Sequence, residues 1–183
     1  MTEIEILNQM IRNTAKMQPV IKNDKASVTL REPLSQDSSV VIAGIPHDSI
    51  IIKADAFQSP DTVFTGLKGE GKRADFVIVS SNGNRNLILY MEMKKTKGSL
   101  KEVIQQLTGA RCFMHYCQEV GKSFWKEKDF LKDYQHRFVS IGHTSIPKRK
   151  TRMERQQGKH DTPEKVMKID WPNRLQFNRL VGA

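Results

Sequence analysis

Ala74-Asp75-Phe76-Val77-Ile78-Val79-Ser80-Ser81-Asn82-Gly83-Asn84-Arg85-Asn86-Leu87-Ile88-Leu89-Tyr90-Met91-Glu92-Met93-Lys94 contains two apolar runs separated by a polar turn. The runs 76–79 and 87–91 have the length and composition of strands, and Asn82-Gly83 suits residues at positive φ, so the spacing predicts an antiparallel hairpin. The second run is apolar on both faces, as a central strand covered on both sides must be. Residues two apart on a strand share a face, so Glu92 and Lys94 project together while Met91 and Met93 point to the other side. Asp75 stands at the start of the partner strand. Burying a carboxylate and an ammonium beside such a run is costly unless something compensates. A divalent cation held by Asp75 and Glu92 is one such compensation. Two carboxylates and a backbone carbonyl suit Mg²⁺, which also binds phosphate oxygens, and a nearby lysine can orient a nucleophile and offset developing charge.

Upstream, Thr2-Glu3-Ile4-Glu5 has capping-box spacing and Ile4, Leu7, Met10 and Ile11 recur on one helical face, predicting a helix over about residues 2–16. Between Ser27 and Ala54, short β-branched runs interrupted by Pro33, Gly44 and Pro46 predict two or three strands. Pro60, Gly66, Gly69 and Gly71 mark a polar connection leading to the hairpin, suited to a mobile loop near a site. Downstream, Ser99-Leu100-Lys101-Glu102 is a second capping box, and its helical pattern runs to Gly121, which offers a stop. Residues 137–141 predict another strand, and 166–169 a final short one. Residues 1–146 are thus expected to form the core, with 147–183 a basic C-terminal extension packing back on it through Trp171, Leu175 and Phe177.

Across 183 residues, 30 Lys+Arg oppose 20 Asp+Glu, a net charge of +10 that suits a polyanionic partner, nucleic acid first. A solubilising surface is the plainer explanation of the same charge. No apolar stretch is long enough to span a membrane, and the acidic N-terminus is unlike a signal peptide. Cys112 and Cys117 make neither a disulfide framework nor, with His115, a zinc site, so a reducing, cytoplasmic setting is expected.

Glu-x-Lys by itself is weak, since Glu70-Gly71-Lys72 repeats it without a strand, and taken alone Glu92 and Lys94 are better explained as an exposed cross-strand ion pair. The surrounding order of elements gives the motif its weight. Lys72-Arg73-Ala74-Asp75-Phe76-Val77-Ile78-Val79, then residues 87–94, then 99–107, resemble the core of the PD-(D/E)XK nuclease superfamily, and within it small bacterial members. The resemblance covers residues of about 72–115, with Ala74 where the motif's name has proline.

The resemblance implies an α/β, restriction-endonuclease-like αβββαβ core, a central mixed sheet flanked by helices. It implies that Asp75 and Glu92 hold Mg²⁺ (with Mn²⁺ as a substitute) together with the backbone carbonyl of Met93, and that Lys94 is the catalytic lysine. Many members carry a glutamine on the following helix. At 100° per residue Gln106 falls beside Val103 and Ala110 at the margin of the buried stripe, whereas Gln105 falls on the far side, so Gln106 is expected there. Glu3, Asp55 and Asp61 could add a carboxylate, though capping and ordinary loop roles explain such residues as well.

Lys72, Arg73, Lys95, Lys97, Lys148, Arg149, Lys150 and Arg152 are expected to contact the nucleic-acid backbone, and His143 could approach a phosphate. The expected activity is Mg²⁺-dependent phosphodiester hydrolysis by an endodeoxyribonuclease of bacterial defence or DNA processing, leaving 5′-phosphate ends and acting on both strands as a homodimer. The alternatives are a non-catalytic nucleic-acid-binding subunit of a larger complex and an RNA-cleaving toxin on the same core.

Overall fold

A computed structural model describes residues 1–32, 35–83, 85–94, 99–142, 151–153 and 159–182, with the backbone alone at 35–37. In chain order the elements are α1 (Glu3–Met10), β1 (Lys16–Met17), β2 (Val20–Lys22), β3 (Lys25–Glu32), β4 (Ser35–Ile45), β5 (Ser49–Lys53), β6 (Phe76–Ser81) and β7 (Asn86–Lys94). They continue with α2 (Leu100–Phe124), β8 (Gln135–Gly142), β9 (Arg152–Met153), β10 (Met167–Asp170), β11 (Arg174–Gln176) and α3 (Phe177–Leu180).

The predicted hairpin is the centre of the fold. β6 and β7 pair antiparallel from Phe76↔Met91 to Ser81↔Asn86. In the turn, Gly83 takes a left-handed φ of 77°, while Asn82 acts through its side chain, accepting from the Arg85 amide at 2.9 Å. β7 is the middle strand of a seven-stranded sheet ordered β1-β5-β6-β7-β8-β10-β9. It pairs antiparallel with β6 and parallel with β8, the parallel step being made by the long crossover helix α2. Seven consecutive residues of β7 are buried, matching its two-sided apolar run.

Alternate residues of these strands belong to different cores. Val77, Val79, Ile88 and Tyr90 pack with Ile4 and Leu7 of α1 and with Val103, Leu107 and Met114 of α2. Phe76, Ile78, Leu89, Met91 and Met93 face the other way, onto Val28, Leu30, Val40 and Ile42. The second face is therefore covered not by helices, as expected, but by a four-stranded sheet ordered β11-β4-β3-β2, with the single-turn α3 beside it. The alternating burial of β3 is the signature of a sheet with one wet and one dry face.

Two helix boundaries differ from expectation. α1 stops at Met10, its Ile11 cap already extended, and Asn13–Ala15 form a 3-10 turn into β1. The chain there passes through Arg12, Asn13 and Thr14, none of which adds to the apolar stripe. α2 runs through Gly121 to Phe124, because that glycine serves packing: a Cβ there would lie 2.2 Å from the Phe130 ring.

Residues 159–182 are woven into both sheets. β10 pairs parallel with β8 and β11 parallel with β4. Buried Arg137 donates from Nε to the Val181 carbonyl at 3.1 Å, Arg85 donates to the Val181 and Gly182 carbonyls, and His160 Nε2 meets the Leu180 carbonyl at 2.7 Å.

The Gly-rich connection crosses α2 at Gly109, where an added Cβ would sit 1.8 Å from the Lys72 carbonyl oxygen. Gly109→Ala must push the connection off the helix. It is expected to lower unfolding free energy by about 1–3 kcal/mol, measured by denaturant titration, while Cys112→Ala on the exposed side of the same helix stays within about 0.5 kcal/mol.

Candidate functional site

The β6/β7 register sets the site. Phe76 is opposite Met91, so continuing the ladder by one residue puts Asp75 opposite Glu92 on the face toward the helices. Directly opposed residues of an antiparallel pair have Cβ atoms about 5 Å apart. β6 begins at Phe76, leaving the last residues of β7 without a full strand partner on that side. The Asp75 side chain takes over: its Oδ2 accepts from the Met93 amide at 2.7 Å. A strand residue directs its N–H and C=O to the same side, so the Met93 carbonyl also leaves toward Asp75.

Glu92 is 1% exposed and Asp75 9%. Lys94, on the same face two residues on, places Nζ 3.1 Å from Glu92 Oε1 and keeps 24% of its side chain in solvent. Glu92 Oε2 is buried without a hydrogen-bond partner. Burial pushes the Asp75 carboxyl well above the usual carboxylate range, opposed by the Met93 amide and reinforced by the charges of Asp55 and Glu32. Burial likewise raises Glu92, the facing Asp75 charge adds to the rise, and Lys94 counters it. For Lys94, burial works against the charged form, yet Glu92, with Glu102 and Asp75 behind it, outweighs that and raises its pKa.

The donor set fits a hard divalent cation. Two carboxylates and a strand-end carbonyl are oxygen ligands, and one carboxylate oxygen is buried with nothing to bond. Among the described residues no group of three or more His, Cys, Asp or Glu side chains is placed to hold a metal.

Gln106 lies one turn after Glu102, and its Oε1 is also buried without a partner. Gln105 has a different task, which helical spacing did not reveal: its Nε2 donates to the Lys68 carbonyl and its Oε1 accepts from Lys72 Nζ, binding the Gly-rich connection to α2. Arg73 is turned inward too, donating to the Glu70 and Lys72 carbonyls and lying 5.2 Å over the Phe57 ring. Arg152 is exposed on β9, three strands from β7. Lys95, Lys97, His143, Lys148, Arg149 and Lys150 lie outside the described residues.

Of the candidate extra carboxylates, Asp55 approaches Asp75 closely enough to raise its pKa, and the Asp75 carbonyl accepts from the Ala54 amide at 2.9 Å. Asp61 stays exposed on the connection. Glu3 accepts from the Leu131 amide and shares a cleft with Asn86, at the far end of β7 from Glu92, so α1 supplies no ligand. Glu5 closes the capping box with Thr2. Glu32, at the end of β3, was not singled out by the sequence: only the β3–β4 hairpin carries it toward Asp75, and no local pattern signals that. With Asp55, Lys53 and Phe76 it lines a cavity of about 430 Å³. Cys112 is exposed and Cys117 buried, and they form no cluster with His115.

Comparison of the chain with protein families, with curated proteins and with solved structures yields no match. Among the described residues no helix is long and apolar enough to cross a membrane.

Both buried carboxyls have raised pKa values in the folded state, so the fold binds their protons more tightly than the unfolded chain does. Stability therefore falls as pH rises from the ordinary carboxylate range near 4 toward neutrality. In chelator, the thermal midpoint is expected to drop between about pH 5 and about pH 8. Glu92→Gln is expected to flatten that drop and to gain roughly 2–4 °C at the alkaline end. An equal slope in wild type, Glu92→Gln and Asp75→Asn would remove the carboxyl pair as its source.

Proposed function

We propose that this protein is a divalent-metal-dependent nuclease that hydrolyses phosphodiester bonds at the Asp75–Glu92–Lys94 site, with DNA as its substrate. The observation that carries the reading is the buried, opposed carboxylate pair with an unpartnered oxygen and a lysine about one quarter exposed, all at the open end of the central strand. Ion pairs kept for stability alone are not built this way, since each carboxylate raises the cost of ionising the other. With β1–β4 inserted after α1, the chain continues β5, β6, β7, α2, β8, three antiparallel strands and a fourth parallel to the third, an order that supports the αβββαβ reading.

In this reading Asp75, Glu92 and the Met93 carbonyl would hold Mg²⁺ or Mn²⁺, and the chemistry such an ion would supply is water activation and neutralisation of phosphate charge. The chain's own residues do the rest. The Met93 amide orients Asp75 through its bond to Oδ2, and Glu92 fixes the Lys94 ammonium. Lys94, reaching solvent from that anchor, is placed to orient the attacking water and to stabilise negative charge on the phosphoryl oxygens. Gln106 offers a carbonyl oxygen that can accept from a water at the same helix face. One such site cuts one strand, so double-strand cleavage requires two copies acting together.

The test is cleavage of plasmid, linear duplex, single-stranded DNA and RNA in Mg²⁺ and Mn²⁺. Asp75→Ala and Glu92→Ala are expected to fall to background and Lys94→Ala by roughly 100-fold or more, with nucleic-acid binding retained. Chelator is expected to abolish cleavage reversibly. A wild type that binds all four substrates and cuts none would make the protein a binding subunit, and cleavage of RNA alone would make it a ribonuclease.

A further inference from the structure

The connection between β5 and β6 displays apolar side chains that the fold does not use. Val63, Phe64 and Leu67 expose 75%, 52% and 84% of their surface within five residues. Single exposed apolar residues are ordinary, whereas a group of them on one segment marks a contact surface. The backbone beneath them is tightly bonded. The Pro60 carbonyl accepts from the Val63 and Phe64 amides at 3.0 and 2.9 Å, Gly69 N donates to the Gly66 carbonyl at 3.0 Å, and the Glu70 carboxylate accepts from the Lys68 amide at 2.8 Å. Gln105 ties the Lys68 carbonyl to α2.

Cationic groups lie beside this tip. A cleft of about 490 Å³ between the 66–69 turn and the start of α2 is lined by Leu67, Lys72 and Lys101, with Glu102 the one carboxylate among its described lining residues. Lys68 and Lys101 form no ion pair among the described residues, and Glu70 is engaged by the loop's own donors. Three residues after Lys72 comes Asp75 of the carboxylate site. A partner that suits both features carries flat apolar faces and a chain of negative charges a few ångströms away from them. Paired duplex hides its base faces; unstacked bases present them.

We infer that the 60–72 loop is a base-contacting element, in which Val63, Phe64 and Leu67 pack against unstacked bases of a single-stranded or locally opened nucleic acid while Lys68, Lys72 and Lys101 follow its phosphates. This rests on the nucleic-acid reading above and adds to it the form of substrate. A nuclease so equipped acts on single strands, flaps or opened junctions in preference to continuous duplex.

The experiment uses the full chain in Ca²⁺ buffer and measures fluorescence anisotropy of a labelled single-stranded DNA and of the same sequence fully paired. The triple variant Val63→Ser/Phe64→Ser/Leu67→Ser is expected to raise Kd for the single strand roughly tenfold and for the duplex less than about twofold, with its thermal midpoint and salt slope unchanged. Lys68→Ala/Lys101→Ala is expected to lower the salt slope on the single strand by about 1.4, the equivalent of two phosphate contacts. Unchanged single-strand Kd in the triple variant, equal losses on both probes, or no binding of the single strand by wild type each overturn the inference. So does an unchanged Kd accompanied by loss of self-association in sedimentation, which would make the loop a protein interface. If the loop dependence holds while neither Mg²⁺ nor Mn²⁺ supports cleavage, the nuclease reading falls and the base-contacting loop stands. If cleavage depends on Asp75 and Glu92 while the triple variant binds normally, the reverse is true.

Discussion

Two carboxylates face each other across the end of an antiparallel pair, and much of the molecule is arranged around keeping them there. Ionised carboxylates that face each other across neighbouring strands repel, and burial strengthens the repulsion, before the cost of taking either from water. The side chains have no local freedom to separate. Asp75 is held by the Met93 amide, and Glu92 belongs to a strand paired with β6 as far as Met91 and with β8 through Lys94. The opposing stabilisation comes from β7 itself. Its even-numbered residues enter the core under α1 and α2, and its odd-numbered ones enter the core against the smaller sheet. Shifting Glu92 away from Asp75 would require slipping the register, which would turn Tyr90 and Leu89 to the wrong faces.

The parts of this arrangement that are legible in the sequence are those governed by local rules. Alternation and turn chemistry identify β6 and β7, and capping spacing marks the starts of both long helices, with Ser99 Oγ accepting from the Glu102 amide. The period of two puts Glu92 and Lys94 together, and hairpin pairing brings Asp75 to them. What is not legible depends on distant segments meeting. The smaller sheet covers Met91 and Met93, but β-branched runs at 27–52 do not declare which layer they join. Gly109 and Gly121 read as weak helix positions, and only the neighbouring Lys72 carbonyl and Phe130 ring explain them. Gln105 and Gln106 are adjacent in sequence and helix angle separates them relative to a single core, whereas α2 is also crossed by the Gly-rich connection, which claims Gln105. Glu32 reaches the carboxylates only because a hairpin folds over the second core.

Charge is distributed accordingly. A net +10 describes the chain as a whole, but the centre is locally acidic among the described residues, with Glu32 and Asp55 adding to Asp75, Lys94 opposing and Lys53 acting on Asp55. Phosphate would be repelled from such a centre without a cation. Lys72 on the Gly-rich connection and Lys101 on the first turn of α2 line a different cleft from the one that Lys53 shares with Glu32 and Asp55.

The weaving of residues 159–182 into both sheets bears on how the molecule comes into being. β10 and β11 each lie parallel to strands that precede them by many residues, and Arg85, Arg137 and His160 bond the carbonyls just beyond. Contacts of such long sequence separation form late and slowly. During synthesis, the apolar faces of β4 and β8 must wait beside incomplete neighbours until residues 167–180 have emerged, and over that interval they are the surfaces most open to wrong pairing. Slow translation would therefore lengthen the hazardous stage, when a chaperone that shields strand edges would have the most to protect.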